Sequence, residues 1–139
     1  MVEVAKASPE DFDWLLRHDP HVDAQWVLRC IELGEYLLAR REGEVVGFLR
    51  FSLFWGRIPY MDMIKVEPGC RRLGAGTALF RAWEDQMRAR GVRLLMTSSE
   101  LDEFEPQEWH RRNGFVEAGS LTFPGIQSAR EIFFVKQIG

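Results

Sequence analysis

Apolar residues recur along this chain in two rhythms. A three-to-four residue spacing implies a helix face, and alternation or a short apolar run between turn residues implies a strand. Val2 to Ala5 is a short apolar start that fits a strand. Ser8-Pro9-Glu10-Asp11 signals a helix start, with Ser as N-cap, Pro at the first helical position and acids in the first turn. That helix runs through Phe12, Leu15 and Leu16 to about His18, where Asp19-Pro20 breaks it. Asp23 opens a second helix with Trp26, Val27, Cys30 and Ile31 on one face, and Gly34 ends it.

Tyr36 to Arg40 and Val45 to Phe54 read as strands joined by the tight turn Glu42-Gly43-Glu44, hence a hairpin. Ile58 to Val66 is a third strand, with Pro59 tolerated near its start. From Gly74 to Arg90 the pattern turns helical, with Ala75, Ala78, Leu79, Ala82, Trp83 and Met87 inward and Gly91 as the cap. Val92 to Thr97 is a continuous apolar run of the kind buried in a sheet, followed by a polar loop from Ser98. Glu105 to Arg112 is a short helix, and Phe115 to Leu121 and Glu131 to Val135 are closing strands. The strand, helix, strand unit from Met61 to Thr97 should be parallel and right-handed, while the earlier hairpin is antiparallel. The expectation is one α/β domain over residues 1–139, a mixed, mostly antiparallel sheet of about seven strands with helices on both faces.

Composition narrows the function classes. Hydrophobic residues at 46%, with ten Phe and five Trp, describe a packed globule rather than a disordered chain. A net charge of −3 leaves no basic excess for a nucleic-acid backbone. The start Met1-Val2-Glu3-Val4 has no signal-peptide pattern, and no apolar run approaches the ~20 residues that span a bilayer, so neither export nor membrane binding is expected and cytoplasm is the default. Cys30 and Cys70 lack metal-ligand spacing and read as free thiols, so no metal is expected. His18-Asp19-Pro20-His21-Val22-Asp23 has a metal-like composition but no fixed ligand spacing, and reads as a surface turn.

The candidate chemistry centres on the turn between the third strand and the long helix, Arg71-Arg72-Leu73-Gly74-Ala75-Gly76-Thr77. The first helical N–H groups have no internal partner and the helix dipole is positive there, so the turn is an anion site whose usual guest is phosphate. Without a Cβ, Gly74 and Gly76 let a diphosphate reach the main chain, and Arg71 and Arg72 add guanidinium charge. Gly76-Thr77-Ala78 has no lysine, which excludes a P-loop, and Leu79 stands where a dinucleotide fingerprint needs its third glycine.

Val66-x-Pro68, then Arg71-x-x-Gly74-x-Gly76, resembles the acyl-CoA pyrophosphate loop of the GNAT-type N-acetyltransferases, whose pattern is Gln/Arg-x-x-Gly-x-Gly/Ala. The element order resembles that family from Val4 to Val135, and Trp109-His110-Arg111-Arg112-Asn113-Gly114-Phe115 is similar to its Phe-Tyr-x-x-x-Gly-Phe segment. The resemblance implies acetyl-CoA as donor, with its diphosphate on Arg71 to Thr77. Its pantetheine arm would pair with main-chain groups of Ile64 and Val66, where the family's fourth and fifth strands splay around a bulge. It implies an amine acceptor from a small molecule or a peptide, and a dimer as a common state; direct transfer without an acyl-enzyme is expected because neither Cys30 nor Cys70 has a base beside it in sequence. The family's tyrosine place holds His110, which is expected to act as general acid when it is imidazolium, or else to be an exposed helix residue. Asp62, a carboxylate in an apolar strand, is the candidate base, or else a structural partner of Arg50 or Arg57. Glu100, Asp102 and Glu103 would suit a cationic acceptor, or form a solvated loop. The alternative function is a non-catalytic acyl-CoA-binding or regulatory module, supported by the missing tyrosine.

Overall fold

The computed structural model describes all residues, Met1–Gly139. Its strands are β1 (Val2–Lys6), β2 (Tyr36–Arg41), β3 (Glu44–Phe54), β4 (Ile58–Val66), β5 (Leu94–Glu100), β6 (Val116–Leu121) and β7 (Glu131–Gln137). Its helices are α1 (Phe12–His18), α2 (Ala24–Glu32), α3 (Ala75–Ala89) and α4 (Phe104–Arg112). The strands form one mixed sheet in the order β1-β2-β3-β4-β5-β7-β6, with β4 and β5 parallel. The chain divides into two compact units, Met1–Ser52 with Met63–Asp85, and Leu53–Asp62 with Gln86–Gly139.

In the first unit the predicted caps are present. The Ser8 N–H donates to Asp11 Oδ2 at 2.9 Å before α1, and Trp26 N–H donates to Asp23 Oδ1 at 2.9 Å at the start of α2. Gly34 follows α2 with φ +71°; its N–H donates to the Ile31 carbonyl and that of Glu35 to the Cys30 carbonyl, which satisfies the helix end. Glu42 and Gly43, both with positive φ, turn β2 into β3. Tyr36, Leu38 and Phe48 share a core with Leu15 of α1 and Val27, Cys30 and Ile31 of α2. Alternation turns Phe51 to the opposite face of β3, where its ring meets that of Trp83 of α3 at 5.9 Å. Helices therefore cover both faces of the β2–β3 ribbon.

Two expectations are corrected in this unit. Trp26 is exposed rather than part of the buried face of α2, and carries the Arg29 guanidinium 4.4 Å above its ring. Asp19 is not on a surface turn: it is fully buried and accepts from Tyr36 Oη at 2.6 Å and Arg50 Nε at 2.7 Å. Burial, then the bond to Asp19, hold the Tyr36 phenol far above its ordinary range. Arg50 is one partner of this buried carboxylate.

Gly47 sets the spacing between β3 and the end of β4. A Cβ there would stand 2.8 Å from the Lys65 carbonyl oxygen and 3.3 Å from Val66 Cα, both main-chain atoms. The next residue, Glu67, donates its N–H to the Val46 carbonyl at 2.8 Å, and its carboxylate meets His18 Nε2 at 2.9 Å.

In the second unit β5 pairs with β7 from Leu94↔Gln137 to Glu100↔Glu131, and β6 pairs with β7. The strand starts two residues later than its apolar run suggested and ends three residues later, so Ser98, Ser99 and Glu100 are strand residues and not loop. Its burial alternates, against the expectation of a continuously buried strand. The pairing that carries it past Thr97 comes from β7, a neighbour that local pattern cannot supply.

Gly47→Ala is expected to lower unfolding free energy by about 1–3 kcal/mol, because main-chain atoms rather than a flexible side chain must yield. Asp19→Ala is expected to cost about 3–5 kcal/mol by removing the buried carboxylate that Tyr36 and Arg50 share. Denaturant midpoints of the two variants check both values, and an unchanged midpoint contradicts the packing described.

Candidate active site

The glycine-rich turn lies in the first unit. Pro68–Leu73 forms a short 3-10 turn, and Gly74 ends it at φ +80°, a conformation that favours glycine. The first bond of α3 then runs from the Ala78 N–H to the Gly74 carbonyl at 2.9 Å. The N–H groups of Ala75, Gly76 and Thr77 therefore have no helical acceptor. Arg71, Arg72, Leu73, Gly74 and Thr77 are exposed, and Ala75 is buried as the first anchor of the helix. No atom lies within 4 Å of a Cβ built on Gly74, and one built on Gly76 would make only an ordinary contact with Val66 at 3.7 Å. The protein's own packing does not require glycine at Gly76, a helical position where alanine is the better helix former. Ile64 and Val66 are half-buried at the end of β4 in the same unit.

A polar chain lies in the second unit. Tyr60 on β4 hydrogen-bonds through its hydroxyl to Ser98 Oγ on β5. Ser98 Oγ donates to Glu131 Oε2 on β7 at 2.6 Å, and Gln127 Nε2 donates to Glu131 Oε1 at 3.0 Å. The Tyr60 ring stands edge-on to Phe133. Burial pushes the Tyr60 phenol up to about 12, and the charges of Glu131 and Asp62 add to the rise. Tyr60 is thus a neutral phenol at neutral pH, and Asp62 lies near it. Partial loss of hydration, and then the Glu103, Asp102 and Glu131 carboxylates, raise the Glu100 carboxyl. Asp62 and Glu131 thus flank the phenol, and Glu131 links it to the acids Glu100, Asp102 and Glu103.

His110 faces the other side of β7. It is buried between Phe115, with ring centroids 5.9 Å apart, and Phe134, at 5.4 Å. Its ring hydrogen-bonds to the main chain of Ser98, and its Nδ1 has no partner. A second proton on Nδ1 would find no acceptor in an apolar setting.

A sequence profile of the acetyltransferase (GNAT) family matches residues 2–115. The chain belongs to that family. Over 87 residues it is 28% identical to an aminoglycoside N(6')-acetyltransferase type 1 from Klebsiella aerogenes, a match spanning 58% of this chain and 57% of that enzyme's length. Its fold is similar to that of Ard1 from Thermoplasma volcanium, with a TM-score of 0.86 at 19% identity over 99% of this chain and 97% of that one. A GNAT acetyltransferase from Elizabethkingia anophelis, solved with acetyl-CoA bound, gives a TM-score of 0.74 at 15% identity over 99% and 98% of the two chains.

Within this GNAT chain the two candidate catalytic residues have different surroundings. Asp62 is half-buried beside Tyr60, in reach of the acid-rich region. His110 is neither exposed nor placed as an imidazolium donor: burial above all, together with the Arg111 charge, lowers it to about 4 against the opposing Ser98 bond. At neutral pH it is a neutral ring that ties α4 to β5 at Ser98. Sequence reading missed Tyr60, Ser98 and Glu131. The available signal was the two-residue period along β4, which sets Tyr60 on the face of Asp62; reading Ser98 as loop hid its partner.

Because the folded state holds His110 neutral, the unfolded chain takes up the proton first as pH falls. Stability is full above the ordinary imidazole range and is lost between about 6.5, the usual value, and about 4. The loss is on the order of 3 kcal/mol. Melting curves across that window should show it in the wild type and lack it in His110→Phe; parallel curves would contradict the burial described.

Proposed function

We propose that the protein is an acetyl-CoA-dependent N-acetyltransferase that moves the acetyl group directly to the primary amine of a small molecule or peptide. The observation that carries the reading is the turn opening α3, whose free N–H groups at Ala75, Gly76 and Thr77 lie beside exposed Arg71 and Arg72 in a GNAT chain. In this reading the turn from Arg71 to Thr77, Leu73 included, holds the donor's diphosphate. Main-chain groups of Ile64 and Val66 hold the pantetheine arm. Bound there, acetyl-CoA supplies an electrophilic thioester carbonyl and a thiolate leaving group.

The acceptor is a cation before it reacts. Glu131 and Asp62 place negative charge beside Tyr60, and Glu100, near Glu131, Asp102 and Glu103, adds to it; an ammonium group is the complement of that charge. A relative that acts on an aminoglycoside fits the same preference. Asp62 binds the ammonium, and His110 supports the strand behind it. The buried, neutral His110 in the family's tyrosine place favours a second reading, an acyl-CoA-binding module without turnover.

Acetyl-CoA at about 100 times its Kd should raise unfolding free energy by about 2.7 kcal/mol, and Arg71→Ala should need a higher concentration for the same rise. Thiol release with a panel of primary amines separates the two readings. Stabilisation with turnover supports the enzyme, stabilisation without turnover across the panel supports the module, and no stabilisation removes both.

A further inference from the structure

We propose that Tyr60, Ser98 and Glu131 form a relay that takes the proton from the acceptor's ammonium group. The proposal rests on the N-acetyltransferase reading and adds the group that makes the nucleophile. It follows from counting protons. Ser98 has one hydroxyl hydrogen, and an ionised Glu131 can only accept, so that hydrogen is committed to Glu131 Oε2 at 2.6 Å. The contact between Tyr60 Oη and Ser98 Oγ must then be made by the Tyr60 proton. With its proton directed inward, Tyr60 Oη can offer an approaching group only lone pairs. It accepts from an N–H and is not placed to protonate a leaving thiolate.

The terminus of the relay is built for charge. Gln127 Nε2 donates to the second Glu131 oxygen at 3.0 Å, so both oxygens of the carboxylate are fixed. Ser98 is itself held from behind, since its main chain accepts the His110 ring and pairs with Phe133 of β7. The charged and titratable groups facing the relay are Asp62 on β4, Glu100 on β5 and Glu131 on β7, all acids that stabilise an incoming ammonium.

The chemistry balances. An ammonium N–H bond breaks as a new O–H bond forms at Tyr60. The Tyr60 proton moves to Ser98 Oγ, and the Ser98 proton moves to Glu131 Oε2, which later releases it to water. The neutral amine attacks the thioester carbon, and the C–S bond breaks with its electron pair on sulfur. The second nitrogen proton ends on that thiolate, so one acetyl group is transferred and one proton reaches solvent.

The test compares two acceptors with Tyr60→Phe, Ser98→Ala and Glu131→Gln. One acceptor is an alkyl amine, cationic at neutral pH; the other is a weakly basic hydrazine-type amine, already neutral. General-base loss is worth about 100-fold in rate. Each variant should therefore lose about that much kcat/KM with the alkyl amine, several-fold to tenfold more than with the weakly basic one. The deficit should shrink as pH rises and solvent deprotonates the alkyl amine. Melting curves with acetyl-CoA confirm that each variant folds and binds donor, and Ser98→Ala is the least disruptive change. Equal losses on both acceptors, or losses within twofold, overturn the relay and leave the acetyltransferase reading standing. If the wild type turns over neither acceptor, that reading falls and the relay with it.

Discussion

The close approach of β3 to the end of β4 is the constraint on which the glycine-rich turn before α3 depends. It exists because residue 47 has no side chain; any Cβ would press on the Lys65 carbonyl and the Val66 main chain. Glu67 then bonds by its N–H to Val46 and by its carboxylate to His18, whose Nδ1 lies 2.7 Å from the Trp14 carbonyl oxygen. Lys65 Nζ donates to the His18 carbonyl at 3.3 Å. The last residues of β4 are thus fixed from β3 on one hand and α1 on the other. Only beyond them does the chain reach Gly74, whose left-handed conformation turns it into α3. The helix starts abruptly at this well-held junction, so its first N–H groups have no helical acceptor.

In the second unit the governing feature is charge held on a hydrogen-bonded chain. Tyr60, Ser98 and Glu131 come from three different strands, and their bonds run across the sheet rather than along it. His110 contributes from the opposite face of β5 through main chain only. It acts on the site through the position of Ser98, and its neutrality is a consequence of the ring cluster around it.

Local rules made most of the fold legible. Asp23, Gly34, the Glu42-Gly43 turn, Gly74 and Gly91 each mark an element end for a reason that acts within a few residues, and the structure follows them. The bounds of β4 also matched, since Gly56 and Pro68 delimit its apolar run. What was not legible depended on partners distant in sequence. β5 extends through Ser98 to Glu100 because β7 lies alongside. Asp19 is buried because Arg50, 31 residues away, reaches it. His110 was expected to act as a charged donor, but aromatic rings from β7 and the chain before β6 enclose it. The glycine-rich turn was legible as a continuous motif; the Tyr60 chain was not, because Tyr60, Ser98 and Glu131 are far apart in sequence.

The central claim is that the donor's diphosphate sits on the free N–H groups at the start of α3. Titrating acetyl-CoA into isotope-labelled protein and following backbone amide resonances tests it most directly. The account predicts that the largest changes fall on Leu73 to Thr77 and grow together to saturation. Saturable binding that moves other amides while those of Ala75, Gly76 and Thr77 stay in place would contradict it.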